Sequence, residues 1–386
     1  MKYPCNLVTP TTCPDRSGDM KKISSVHLPK NRDRLWPFFI QMKKAGLIFL
    51  FLIFPFSFLS AQTSSVDIDK DKDQFVFGQI FADFKYNFNS EIKPVAAFRF
   101  NQGIIGYYHK ISDKVSGKIM LDVTRTTNFN SITDTLGRPV SYNYFEGSKY
   151  TAYLKMAEIK WEVTDYFTFR FGQLLNTQYL TFQDKFWGFR YVDVTMQEKF
   201  RLGMPADFGA QVDLKLKDKL LYQFSVVNGE GPFRYQDGEG KFLFANNLQY
   251  YPIKGLTLKL YADYAPSPDT MLNSADKSVL SFFAGYQKPK YRLGAEYSRV
   301  NNYHFSEDKS VDAFSVFGSI LLIEKLTLLF RWDHLNIDTS QKSEKIDYFI
   351  GGLQYEPVEK FTTSINYRYF SPDELGMVLV SFGLKF

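Results

Sequence analysis

Over most of its length the chain alternates apolar and polar residues with a period of two. Between Leu256 and Tyr264, the set Leu256, Leu258, Leu260, Ala262 and Tyr264 interleaves with Thr257, Lys259, Tyr261 and Asp263. Successive side chains of a strand point to opposite faces, so this segment predicts a strand with one apolar face and a second face turned to water. The same alternation runs through 115–124, 208–217, 291–298 and 361–370, each about the ten residues that a tilted membrane strand requires. No long stretch of the body keeps a helical period. Strands are expected near 74–88, 96–111, 115–126, 149–163, 166–173, 207–217, 219–228, 241–252, 256–265, 278–287, 291–301, 311–322, 325–335, 345–355, 361–370 and 376–386. The pattern is blurred near 278–287, 311–322 and 345–355.

The connections alternate in length. Segments 112–114, 164–165, 218, 252–255, 288–290, 323–324 and 356–360 are tight, and every second connection is longer. Short turns on one side and long loops on the other predict a transmembrane antiparallel β-barrel of about sixteen strands, all-β, with the short turns and both chain ends periplasmic. A soluble β-sandwich has no reason to segregate its turns, and its open edges would need protection. Aromatic residues crowd the tight-turn ends, with Trp161 beside Tyr166, Tyr286 beside Tyr291, and Tyr355 beside Phe361, as at a membrane interface. In the last strand, Val378, Val380, Phe382, Leu384 and Phe386 put an apolar residue at every second position up to a terminal aromatic. That register looks like the C-terminal assembly signal of bacterial outer-membrane barrels, which makes the barrel-assembly machinery and outer-membrane lipid the expected partners.

Ahead of the alternating body, Met42-Lys43-Lys44, the apolar run Ala45 to Leu59, and Ser60-Ala61-Gln62 have the three-part layout of a secretory signal, with cleavage expected between Ala61 and Gln62. The run falls short of the roughly 20 residues of a membrane helix, and Pro55 interrupts it. Leu59 is larger than the residue usually found three positions before a cut. The expected organisation is therefore a non-translated extension over 1–41, a signal peptide over 42–61, a polar linker over 62–73 and a barrel over 74–386.

This division changes the reading of composition. The net charge of +6 belongs to the first 61 residues, which hold nine Lys and Arg against three Asp, so the remainder carries 38 basic and 38 acidic residues. A neutral body gives no support for nucleic-acid binding. Both cysteines, Cys5 and Cys13, also precede the body, which suits an oxidising periplasm. Aromatics make up 18% of the chain, with 39 Phe and 25 Tyr, yet the mean hydropathy is slightly negative. Strands with one apolar face reconcile the two.

Local motifs for chemistry fail. Asp67, Asp69, Asp71 and Asp73 imitate the start of a calcium loop, but Lys72 replaces the glycine at its sixth position and Gly78 stands where a bidentate Glu belongs. His109, His304 and His334 have no metal-ligand spacing. No Ser and His signature marks a hydrolase. The expectation is a protein that is not an enzyme and uses no cofactor or metal.

Several stretches resemble the porin O and P family of so-called phosphate-selective porins. They are Phe169-Arg170-Phe171-Gly172-Gln173, Trp187-Gly188-Phe189-Arg190 leading to Asp207-Phe208-Gly209, and Val226-Val227-Asn228-Gly229-Glu230-Gly231. The resemblance implies an outer-membrane channel of about sixteen to eighteen strands, often a homotrimer, that passes small anions such as phosphate. Specific basic ladders of that family are not matched position by position.

A lumen of sixteen strands is too wide for side chains to fill, so an aqueous channel for small solutes is expected. The longest unpatterned connection, Leu174 to Ala206, occupies the place where general porins fold a loop into the lumen. It carries Asp184, Lys185, Arg190, Asp193, Glu198, Lys199 and Arg201. Opposed charges there would set a transverse field and select solutes. On the wall, Arg170 lies between Phe169 and Phe171 and should point inward, as should Lys118, Lys215, Lys259, Arg292 and Arg368. Two bland readings stand beside these: any water-filled barrel lines its interior with charge, and the long loop could cap the outside. A barrel serving as a surface docking or assembly component predicts instead a plugged lumen and apolar loops, with some support from Tyr142, Tyr144, Phe145, Phe233 and Tyr235.

Overall fold

A computed structural model describes residues 73–91, 94–125, 132–133, 139–140, 150–233, 236, 239–267 and 274–386. The assembly strand is described in full, whereas the expected leader, its cut at Ala61-Gln62, Asp67, Asp69, Asp71 and Lys72 of the acidic linker motif, and Tyr142, Tyr144, Phe145 and Tyr235 lie outside these residues.

Sixteen strands close into one antiparallel barrel. They are β1 (Gln74–Asn87), β2 (Ala96–Lys110), β3 (Val115–Arg125), β4 (Tyr150–Glu162), β5 (Phe167–Leu175), β6 (Ala206–Leu216), β7 (Leu220–Val227) and β8 (Leu243–Tyr250), then β9 (Leu256–Ala265), β10 (Lys277–Lys288), β11 (Tyr291–Asn301), β12 (Ser310–Ile323), β13 (Leu326–Asp338), β14 (Ser343–Val358), β15 (Phe361–Phe370) and β16 (Leu375–Lys385). A small hairpin, Ile132–Thr133 with Pro139–Val140, lies in the connection between β3 and β4. Each expected strand is found within a few residues of its predicted bounds. Among the described residues no helix is long and apolar enough to cross a membrane.

Closure joins β16 to β1. Gly78 and Phe386 exchange backbone hydrogen bonds of 2.9 and 3.0 Å, continuing a ladder that runs from Gln79 opposite Lys385 to Asn87 opposite Met377. A side chain on Gly78 would collide with the Phe386 ring, so the glycine seats the terminal aromatic at the seam. Val378, Val380, Phe382, Leu384 and Phe386 share the outward face, while Leu379 and Ser381 between them are completely buried. Closure matters because hydrocarbon offers no partner to an unpaired N–H or C=O.

The outward band is apolar: Leu258, Leu260, Tyr264, Leu280, Phe282, Leu328, Trp332, Phe349 and Leu353 are all exposed. Inside, the barrel has two different walls. On β1 to β8 the inward residues are largely polar, including Asp83, Arg99, Asp122, Glu158, Arg170, Asp213, Gln223 and Asn247. On β10 to β14 they include Val279, Phe283, Val311, Phe317, Leu329, Leu335, Ile346, Tyr348 and Ile350, all buried. Strands apolar on both faces lose their alternation, which is why the pattern blurs along β10, β12 and β14.

The stretches Asp207-Phe208-Gly209 and Asn228-Gly229-Glu230-Gly231 fold as one clamp. An Asp207 carboxylate oxygen accepts the Gly229 N–H at 2.6 Å, and the Asn228 N–H donates to the Phe208 carbonyl at 2.9 Å. Gly229, at φ 97°, adopts the left-handed turn that lets the chain leave β7.

Candidate constriction site

The connection between β5 and β6, residues 176–205, lies inside the barrel against the apolar wall. It holds two short helices, α1 (Gln183–Trp187) and α2 (Met196–Lys199), the first ended by Gly188 at φ 75°. Tyr179, Trp187, Met196 and Leu202 are each no more than 1% exposed. Trp187 meets Phe317 edge-on at 5.4 Å between ring centroids, and Phe186 meets Phe283 at 5.2 Å. These contacts join wall and loop into one core. Burying several aromatic side chains supplies the main attraction, at roughly 1.5–3 kcal/mol each.

A buried, mostly irregular loop must satisfy its own backbone polar groups. Four wall cations do so. Lys259 Nζ donates to the Thr177 and Gln178 carbonyls and to Gln183 Oε1, each at 2.6 Å. Arg292 donates to the carbonyls of Phe186 and Trp187 at 2.6 and 3.1 Å, which would otherwise be orphaned at the end of α1. Arg368 Nη2 donates to the Val192 carbonyl at 2.5 Å, and Arg331, held by Asp333 at 2.7 Å, donates to the Val194 carbonyl. The expectation that the polar set of β9 faces water is therefore corrected. Thr257, Lys259, Tyr261 and Asp263 point inward, yet each is buried, because the loop displaces the solvent they were expected to meet.

The charged loop residues are ordered into two groups. Asp193 accepts from Tyr348 Oη at 2.5 Å and Lys199 Nζ at 3.0 Å, with the Arg368 guanidinium 3.6 Å away. Burial by itself would raise its pKa, but Lys199, Arg368 and Arg331 outweigh that, and the carboxyl titrates well below the ordinary range. Arg190 binds Asp184 at 2.8 Å and both Glu198 oxygens at 2.6 Å. Burial again opposes the charge on Glu198, and Arg190 overcomes it, lowering the pKa. Lys185, by contrast, is exposed, as is Arg201, which has a φ of 54°.

On the polar wall, Arg170 points inward and is held by Glu158 and Asp213, each at 2.8 Å. Lys118 sits over the Phe77 ring at 4.9 Å, within electrostatic reach of Lys185, Glu158 and Arg170. Lys215 has the inward register but stands at the tight-turn rim, 3.7 Å from Asp218 and largely exposed, away from the loop. The sequence-derived set thus separates into loop anchors (Lys259, Arg292, Arg368), loop charges, a cluster around Lys118 and a rim residue.

Sequence reasoning missed Arg331, Tyr348, Gln102, Asp122 and Lys155. Asp122 Oδ2 accepts from Gln102 and Lys155, both at 2.5 Å, and from Tyr153 at 3.0 Å. The registers of β2 on β1 and of β4 on β3 each shift by one residue here, inserting Asn101 and Lys155 as bulges. A bulge re-aims a side chain, and period-two reading has no signal for it.

A closed sixteen-strand barrel with a connection folded inside it is the architecture of an outer-membrane porin. Among solved structures, the chain is similar to OprB of Pseudomonas putida, with a TM-score of 0.60 at 12% identity over 82% of this chain and 95% of that one. It is similar also to OmpF of Salmonella typhi, at 0.58 and 12% over 81% and 97%, and to an anion-selective porin from Comamonas acidovorans, at 0.57 and 10% over 81% and 99%. No family model matches the chain, and no curated protein is similar to it in sequence.

Proposed function

We propose that the protein is an outer-membrane porin of a Gram-negative cell, a passive channel for small solutes, exported by the segment 42–61. The observation that carries this reading is the inward loop: residues 176–205 pack inside the barrel on its apolar wall, a placement that narrows the lumen opposite a charged wall. Such a constriction sorts solutes by size and charge.

We propose further that small anions are favoured, at Lys118 and Lys185, which lie near one another beside the ion pairs of Arg170 with Glu158 and Asp213. The phosphate-type ladder is not part of this reading, because Lys259, Arg292 and Arg368 are engaged with loop carbonyls. The Asp-Phe-Gly and Asn-Gly-Glu-Gly clamp supports kinship with the porin O and P family, and a homotrimer would follow from it.

Planar-bilayer recordings under an ion gradient test this. Ohmic steps with a reversal potential on the anion side are expected. Cation preference removes the anion assignment, and silence from a correctly folded barrel removes the channel. Silence would favour a docking or assembly component, the second reading, which draws on the dense packing of Tyr179, Trp187 and Met196.

A further inference from the structure

The loop is held from both sides. Its far side is hydrogen-bonded to the polar wall at Gln102, whose Oε1 accepts from Arg190 Nε at 3.1 Å while its Nε2 donates to Asp122 Oδ2 at 2.5 Å. Arg190 is fixed within the loop by Asp184 and Glu198, and Asp122 is fixed within the wall by Lys155 and Tyr153. The chain of contacts Glu198, Arg190, Gln102, Asp122 therefore runs from the loop to the wall opposite its anchors. Both wall ends of this link are shaped by bulges, which carry Asn101 and Lys155 as extra residues.

We infer that this link is a crossbar that sets the size limit of the channel, with Gln102 as its size-determining residue. This rests on the channel reading above. An amide is suited to the position because it accepts from the guanidinium and donates to the carboxylate at once. Neither a carboxylate nor an ammonium does both. The anchors on β9, β11, β13 and β15 hold the loop to one wall; the crossbar limits how far its free edge approaches or leaves the other. On the channel reading solutes pass beside the crossbar, so a loosened one admits larger solutes, while the loop stays bound to its anchors.

Gln102→Met keeps side-chain length and removes both hydrogen bonds; Gln102→Ala removes the bulk as well. Single-channel conductance in bilayers and proteoliposome swelling with a graded series of neutral sugars are measured for both variants and the unaltered protein. Heat-modifiable electrophoresis reports whether each barrel is folded. The expected result is a higher conductance level and loss of discrimination against the larger sugars in both variants. If the unaltered protein conducts and Gln102→Met matches it in conductance and size limit, the crossbar is overturned and the channel stands. If neither the unaltered protein nor the folded variants conduct, the channel reading falls with it. A silent unaltered protein with a conducting Gln102→Met supports the crossbar in its strongest form.

Discussion

The two inner walls of the barrel are built from the same backbone and do opposite things. Along β10 to β14 the inward face carries Phe283, Phe317, Leu329, Tyr348 and Ile350, and it buries the loop. Along β2 to β6 it carries Arg99, Asp122, Glu158, Arg170 and Asp213, which pair with one another and with their neighbours. Cations occur on both walls, and their chemistry differs with their surroundings. Facing a buried loop, Lys259 and Arg292 are donors to main-chain carbonyls; facing carboxylates, Arg170 is one member of an ion-pair row. A lumenal cation in such a barrel is thus not by itself a solute contact.

The strongest way to break the contrast is to empty the apolar wall. Trp187→Ala removes the largest fully buried side chain of the loop and should weaken docking by about 3–5 kcal/mol. The expected outcome is rapid proteolytic cleavage within 176–205 and a rise in conductance, with the barrel itself still resistant to heat. Lys259→Met should act in the same direction less strongly. It strands two carbonyls and Gln183, at roughly 1–3 kcal/mol for a buried group left unsatisfied, and limited proteolysis at intermediate protease concentrations would resolve it from Trp187→Ala.

Acid should act on the loop charges next. The carboxyl of Asp193 titrates lower in the docked loop than when released, so its stabilisation is complete above the ordinary carboxylate value of about 4. It is lost as pH falls from there through the docked value. Channel noise and loop protection should therefore be unchanged from neutrality to mildly acidic pH and deteriorate only in strong acid, an onset that Asp193→Asn would weaken, leaving the share carried by Glu198 on Arg190. The smallest effect belongs to the polar wall's rim. Lys160→Gln breaks a half-exposed pair with Glu162, worth less than about 1 kcal/mol. Loop protection should be unchanged, with at most a slight shift of reversal potential toward cations.

Much of the barrel was legible because period two is a direct print of a strand with lipid on one side. Strand number, the alternation of tight and long connections, and the outward register of Val378 to Phe386 all follow from it. The blur over 278–287, 311–322 and 345–355 was also a signal, since strands apolar on both faces must bury both; what covers the inner face was not written in those strands. The site was less legible. Lys259, Arg292 and Arg368 were recognised as inward, but their acceptors are carbonyls of residues 177–192, and a carbonyl has no sequence signature. Nothing local marks Gln102 and Lys155 as inward, because a one-residue bulge breaks the parity on which an inward assignment depends.

The amino-acid sequence alone determined that this chain must close into a ring, since alternating faces around an apolar exterior leave no other way to satisfy backbone hydrogen bonds in hydrocarbon. Only the tertiary structure decided which wall receives the loop and what each lumenal charge touches. Those contacts join residues as many as 176 positions apart, as between Arg368 and Val192. They depend on curvature, register and bulges that no local pattern encodes.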